Sequence, residues 1–142
     1  MPGSSPRKIF AAILMFGATV MAQAQGIDTR WRLLVVDLKH EVKVEATIRF
    51  LGEPVTESCM GSSWKRAVIE AKTASDEKFF PLAEPLAYQI QGGELTLGRT
   101  AVCDGYLFLS GRSKGATIQG TYDAVGIGLV QKLGHFTLKR IP

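Results

Sequence analysis

From Glu41 to Phe50 polar and apolar residues alternate without a break, with Glu41, Lys43, Glu45, Thr47 and Arg49 on one side and Val42, Val44, Ala46, Ile48 and Phe50 on the other. A period of two sends successive side chains to opposite faces, so this run predicts a strand with one wetted and one buried face. Shorter runs of the same kind predict strands over 29–37, 41–50, 64–71, 86–91, 94–99, 106–110, 117–123 and 135–141. Gly92-Gly93 is a two-residue hairpin signal, because glycine accepts the positive φ angles such turns need. The 111–115 stretch (GRSKG) does the same between two later strands. No window of helical length shows a 3.6-residue period; the local exception is 73–78 (TASDEK), where Ser75 is placed to cap one helical turn.

Consecutive, hairpin-linked strands with one apolar face close into an up-and-down barrel or fold over as a sandwich. Eight is the number at which a closed barrel is just wide enough for side chains or one small ligand. The expected fold is therefore all-β, a single antiparallel eight-stranded up-and-down barrel, with a β-sandwich as the alternative. In such a barrel Val42, Val44, Ile48, Phe50, Leu95, Leu97, Tyr106 and Phe108 are the expected inward wall, and a ligand taken there is a small apolar or amphipathic molecule.

The start of the chain follows a different logic. Arg7 and Lys8 precede an uncharged run from Ile9 to Ala22, followed by Ala22-Gln23-Ala24, a small-x-small pattern. This reads as a secretory signal peptide over 1–24, cleaved to leave Gln25 first and one domain over 25–142. The apolar run is shorter than the roughly 20 residues a spanning helix needs, and no later segment reads as transmembrane. Periplasmic or secreted localisation is the expectation. The formal charge of +4 falls to +2 once Arg7 and Lys8 are removed. The remaining charges are interspersed, which argues against nucleic acid, since that partner rewards clustered Lys and Arg. Cys59 and Cys103 are the whole cysteine complement. In an oxidising compartment such a pair in a small domain is expected to bond.

A tryptophan in the first strand (Trp31), a basic residue in the last (Arg140, in HFTLKR) and the eight-strand meander between them resemble the calycin group of small β-barrels, which includes lipocalins and avidins. The resemblance implies that the cation of the last strand packs over the first-strand tryptophan at the closed end of the barrel.

Catalysis needs a nucleophile with a base, a carboxylate pair or a metal cluster, and the chain is poor in all three. His40 and His135 fall at strand edges among outward-facing polar residues. Ser62 and Ser63 lack the G-x-S-x-G elbow. Gly126-Ile127-Gly128 lacks the third glycine of a phosphate loop, and Asp76-Glu77 is an adjacent acidic pair better read as solvated loop. No cofactor or metal is expected, and neither is enzymatic activity. Three segments stand out as recognition surfaces. The first is the 52–63 connection (GEPVTESCMGSS), tethered at Cys59 and followed by Trp64, Lys65 and Arg66. The second is Phe79-Phe80-Pro81-Leu82, a plug or a lid. The third is 125–130 (VGIGLV), which suits a partner or membrane surface, or opens the last strand. Two functions fit: a binding protein taking a small apolar ligand in the barrel, or a protein-binding inhibitor of an envelope or secreted hydrolase acting through the disulfide-held loop.

Overall fold

The computed structural model describes residues 29–61 and 63–142. The expected leader over 1–24, the expected cleavage point and Gln25 lie outside the described residues, as does Ser62. The strands are β1 (Arg30–Asp37), β2 (Val42–Pro54), β3 (Lys65–Ser75), β4 (Leu86–Gln91), β5 (Glu94–Arg99), β6 (Tyr106–Lys114), β7 (Thr117–Gly126) and β8 (Leu129–Arg140). Each pairs antiparallel with the next, and β8 closes on β1 with Trp31 opposite Arg140. The sheet is thus a closed up-and-down barrel rather than a sandwich. Arg140 Cζ stands 5.4 Å from the Trp31 ring centroid, a cation–π contact. The architecture is calycin-like to that extent.

Alternation in β2 reads directly into the core: Val44, Ala46, Ile48 and Phe50 are buried, while the residues between them are half-exposed. Val42 has the inward parity but is 51% exposed, because the strand begins there, at the rim, opposite a register step in β1. β6 corrects the expected pattern more sharply. Leu109 and Gly111 are buried and Leu107 packs on the core, so the inward face is the odd-numbered one. Tyr106 and Phe108 lie on the outer wall. Gly111 and Gly120 face each other across β6 and β7 so closely that a Cβ on Gly120 would sit 1.9 Å from Ser110 O and 2.6 Å from Gly111 Cα. Only glycine permits that approach, which narrows the interior.

The turn foreseen around Ser75 begins one residue later. β3 runs through Ser75, and the Asp76 carboxylate accepts from the backbone N–H of Lys78 (3.2 Å) and Phe79 (3.1 Å). Glu77 then ties the connection: its Oε2 accepts from Ala83 N (3.0 Å) and its Oε1 from Ser75 Oγ (2.7 Å) and Lys72 Nζ (3.3 Å). The Ala83 N–H, the Ser75 hydroxyl and the Lys72 ammonium hold its carboxyl below the usual range. The acidic pair thus serves its own backbone. At the opposite pole, Gly92 and Gly93 turn the β4–β5 hairpin at φ 57° and 77°. The 111–115 signal corresponds to a turn at Gly115, with β6 continuing through Lys114.

An up-and-down barrel carries its connections alternately at two ends. One end, here the Trp31 end, has the β2–β3, β4–β5 and β6–β7 connections and the start of β1. The other has β1–β2, β3–β4, β5–β6 and β7–β8. At the Trp31 end, Trp31 meets Phe50 edge-on at 6.4 Å, and Phe50 meets Tyr88 at 4.7 Å. At the other, Phe80 and Leu82 are buried, and Phe79 and Phe80 both meet the Tyr122 ring edge-on, at 5.1 and 5.4 Å. The 79–82 segment is a plug.

Candidate functional site

The expected ligand wall separates into two groups. Val44, Ile48, Phe50, Leu95 and Leu97 point inward and are 0–3% exposed, each in the one core cluster that the plug completes. Their surfaces are spent on each other. Tyr122 is fully buried, donates its hydroxyl to Phe79 O, and has its pKa pushed up by that burial. Tyr88 donates to Leu51 O at 2.7 Å, and burial raises it too.

Tyr106 and Phe108 instead build an outer aromatic column. Their rings stack at 5.3 Å, and Phe108 stacks on Trp64 at 5.6 Å. Phe108 faces Gly98, itself opposite Ala87, so the wall beneath the column is made of small residues. Trp64 is only 3% exposed. This corrects its expected role as a contact surface: it anchors the loop that follows β2. Lys65 and Arg66 remain exposed, with Arg66 paired to Glu53 at 3.2 Å.

The β2–β3 connection belongs to the Trp31 end but does not stay there. It folds back along the outer wall, where Val55 N donates to Trp64 O (3.0 Å) and Cys59 N to Thr100 O (2.9 Å). Cys59 is bonded to Cys103 in the β5–β6 connection, with Cα atoms 5.3 Å apart. The disulfide therefore clasps two connections that leave the barrel at opposite ends. It runs along the wall and does not cover an open mouth.

That clasp changes what the second end presents. Of the eight large apolar side chains exposed among the described residues, Leu38 and Val42 flank the β1–β2 turn, Val102 lies in β5–β6, and Ile127, Leu129 and Val130 form the β7–β8 tip. Met60 joins them through its neighbour Cys59. Only Ile90 lies at the Trp31 end. The 125–130 segment carries the end of β7, the tip and the opening of β8, the second of the two readings given for it, and the tip is an exposed apolar hairpin. Ile127 is fully exposed and Val130 70% exposed, with Gly128 at φ 69° turning the chain. Beyond Asp37, opposite Gly134, β8 has no β1 partner, so the tip stands out from the barrel.

The Trp31 end carries a pocket of about 320 Å³, lined among others by Trp31, Ile90, Leu95, Ile118 and Arg140. The sequence reading missed it because it arises from two hairpin turns meeting the cation–π pair. It also missed that His40 and His135 stack face to face at 5.9 Å, His40 at φ 64° in the β1–β2 turn. Ser63 lies across the barrel from them, donating to Gln89 on β4 at 3.3 Å. No group of three or more His, Cys, Asp or Glu side chains converges as a metal site among the described residues. No helix among them is long and apolar enough to cross a membrane.

Compared with known proteins, the chain matches no family model, no curated protein sequence and no solved structure.

Proposed function

We propose that this is an exported, non-enzymatic protein-binding barrel that docks its clasped end on a partner protein of the envelope or extracellular space, a hydrolase being the class such a protruding tip suits. The observation that carries this reading is the segregation of exposed large apolar side chains, seven of the eight among the described residues lying at one end. Scattered single hydrophobes need no explanation, whereas a gathered set on a rigid frame marks an interaction surface. The clasp preorganises the two connections that carry Met60 and Val102, since loops already fixed lose little entropy on binding. A projecting hairpin with a bare isoleucine between two glycines fits a concave, apolar-lined cleft.

The barrel-interior ligand has less support, because the residues assigned to it are consumed by packing. A small-ligand reading finds its support instead in the pocket beside Trp31, where Arg140 stands near an apolar floor and suits a compact amphipathic anion.

The test places a photo-reactive amino acid at Ile127, Val102 or Ile90 of the full chain in its native cells. Adducts of one discrete protein mass at Ile127 and Val102, absent at Ile90, are expected. Equal labelling at all three positions, or labelling at Ile90 alone, contradicts the assignment of the clasped end.

A further inference from the structure

The barrel wall is not uniformly zipped. β3 pairs with β2 from Ala67 to Ser75 and again at Lys65, yet it meets β4 only over Lys65, Arg66 and Ala67. From Val68 to Ser75 its β4-facing edge has no strand opposite. The cause is visible in the register with β2: Ile48 pairs Ile69 and Thr47 pairs Ala71, then Ala46 pairs Lys72 and Glu45 pairs Ala74. Glu70 and Thr73 are the extra residues, two bulges that bend β3 out of the barrel's path. The β3–β4 connection does not refill the gap with backbone. Its backbone–backbone bonds are internal (Leu82 N to Phe80 O, Glu84 N to Pro81 O), apart from its first residue, which bonds to β2, Asp76 N to Lys43 O.

What fills the space is a groove. A cleft of about 640 Å³ lies between the 53–57 segment, 66–69 on β3 and 82–86, and a second hollow of about 430 Å³ continues it along 69–72. Its apolar floor includes Ala67, Ile69, Leu82 and Leu86, and its edge is a run of backbone N–H and C=O groups. Eight extended residues span roughly 26 Å at about 3.3 Å each, enough for a short strand. Charge at the rim is uneven. Glu53, Glu57 and Glu84 face a single Arg66; Glu53 is held by Arg66 and Glu84 by Arg99 at 3.2 Å, while Glu57 has no ion-pair partner among the described residues.

We propose that this split is a strand-addition slot, which takes an extended segment of the partner protein along the β4-facing edge of β3, apolar at alternate positions and basic where it passes Glu57. Backbone pairing supplies affinity in this mode, and alternate side chains supply specificity. The two bulges keep the same edge from pairing indiscriminately between copies. The inference rests on the protein-binding reading above and names the segment such a partner contributes.

The probe is a capped hexapeptide, Lys-Val-Thr-Val-Thr-Val, titrated into ¹⁵N-labelled, disulfide-intact protein. Shifts confined to 53–57, 66–72 and 82–86, the walls of the groove, are expected. N-methylation of alternate peptide amides is expected to abolish them, and Glu in place of Lys to weaken binding at least tenfold. Glu57→Lys is expected to reverse that charge preference. No shifts at millimolar peptide, shifts indifferent to N-methylation, or the same shifts on concentrating the protein alone, which would mean a second copy, each overturn the slot. A photo-reactive residue at Ala71 separates this from the parent reading: adducts at Ile127 without any at Ala71 sink the slot alone, whereas none at either position sinks both.

Discussion

Replacing Cys59 and Cys103 together by alanine is expected to lower stability by about 4 kcal/mol, the chain-entropy value for closing a loop of about 45 residues. For a domain of this size that is on the order of 15 °C in melting temperature. The barrel itself should survive, because no strand pairing passes through the sulfurs and both cysteines are exposed. The visible damage falls on the outer wall. Freed from Cys103, the 55–61 stretch keeps its backbone bonds to Trp64 and Thr100, and Trp64, stacked on Phe108 beside it, is expected to become more accessible. Its emission should shift to the red and become quenchable, while Trp31, 5% exposed at the far end, stays silent. A double variant that melts within 1 °C of the parent, with Trp64 still sheltered, contradicts the clasp.

Phe80→Ala is expected to cost about 3–5 kcal/mol, the range for emptying a large buried aromatic site. Phe80 is fully buried against Tyr122, and the segment that carries it is tied down by Asp76 and Glu77, so the void has little freedom to collapse. Denaturant unfolding measures the loss directly. A loss under about 1 kcal/mol would mean that 79–82 is a lid that leaves the barrel easily, and would return the interior to consideration as a ligand site. Because the Glu77 carboxyl is held below its unfolded range, its tie on this segment is fully present at neutral pH. It is lost as pH falls through the folded value.

How far these elements were legible depends on whether one face or two were buried. β2 has water on one side and core on the other, so its alternation marked the strand and, Val42 at the rim apart, its inward residues. Tyr106-Leu107-Phe108-Leu109 offers no polar marker, because Trp64 covers the outer face while the core covers the inner one, and parity was left to chance. β3 offers no such marker: polar and apolar residues alternate through Ile69-Glu70-Ala71-Lys72, across the first bulge at Glu70, so the point where β4 departs is set by pairing and leaves no trace in the pattern. The cysteine pairing followed from number alone. That it joins connections from opposite ends did not, since the fold-back of 55–61 is set by Trp64 finding Phe108, two residues 44 apart. Clustering of the exposed apolar residues was likewise hidden, because Leu38, Met60, Val102 and Ile127 come together only through topology.

Native mass spectrometry of the disulfide-intact protein, recovered gently from its own cell envelope or medium, tests the protein-binding barrel most directly. The expected spectrum shows the chain free or in stoichiometric complex with a second protein. Ile127→Asp should remove that complex while the monomer keeps its melting temperature. A stoichiometric adduct of lipid or metabolite mass on the monomer, unaffected by Ile127→Asp, would contradict it and make the protein a small-ligand carrier.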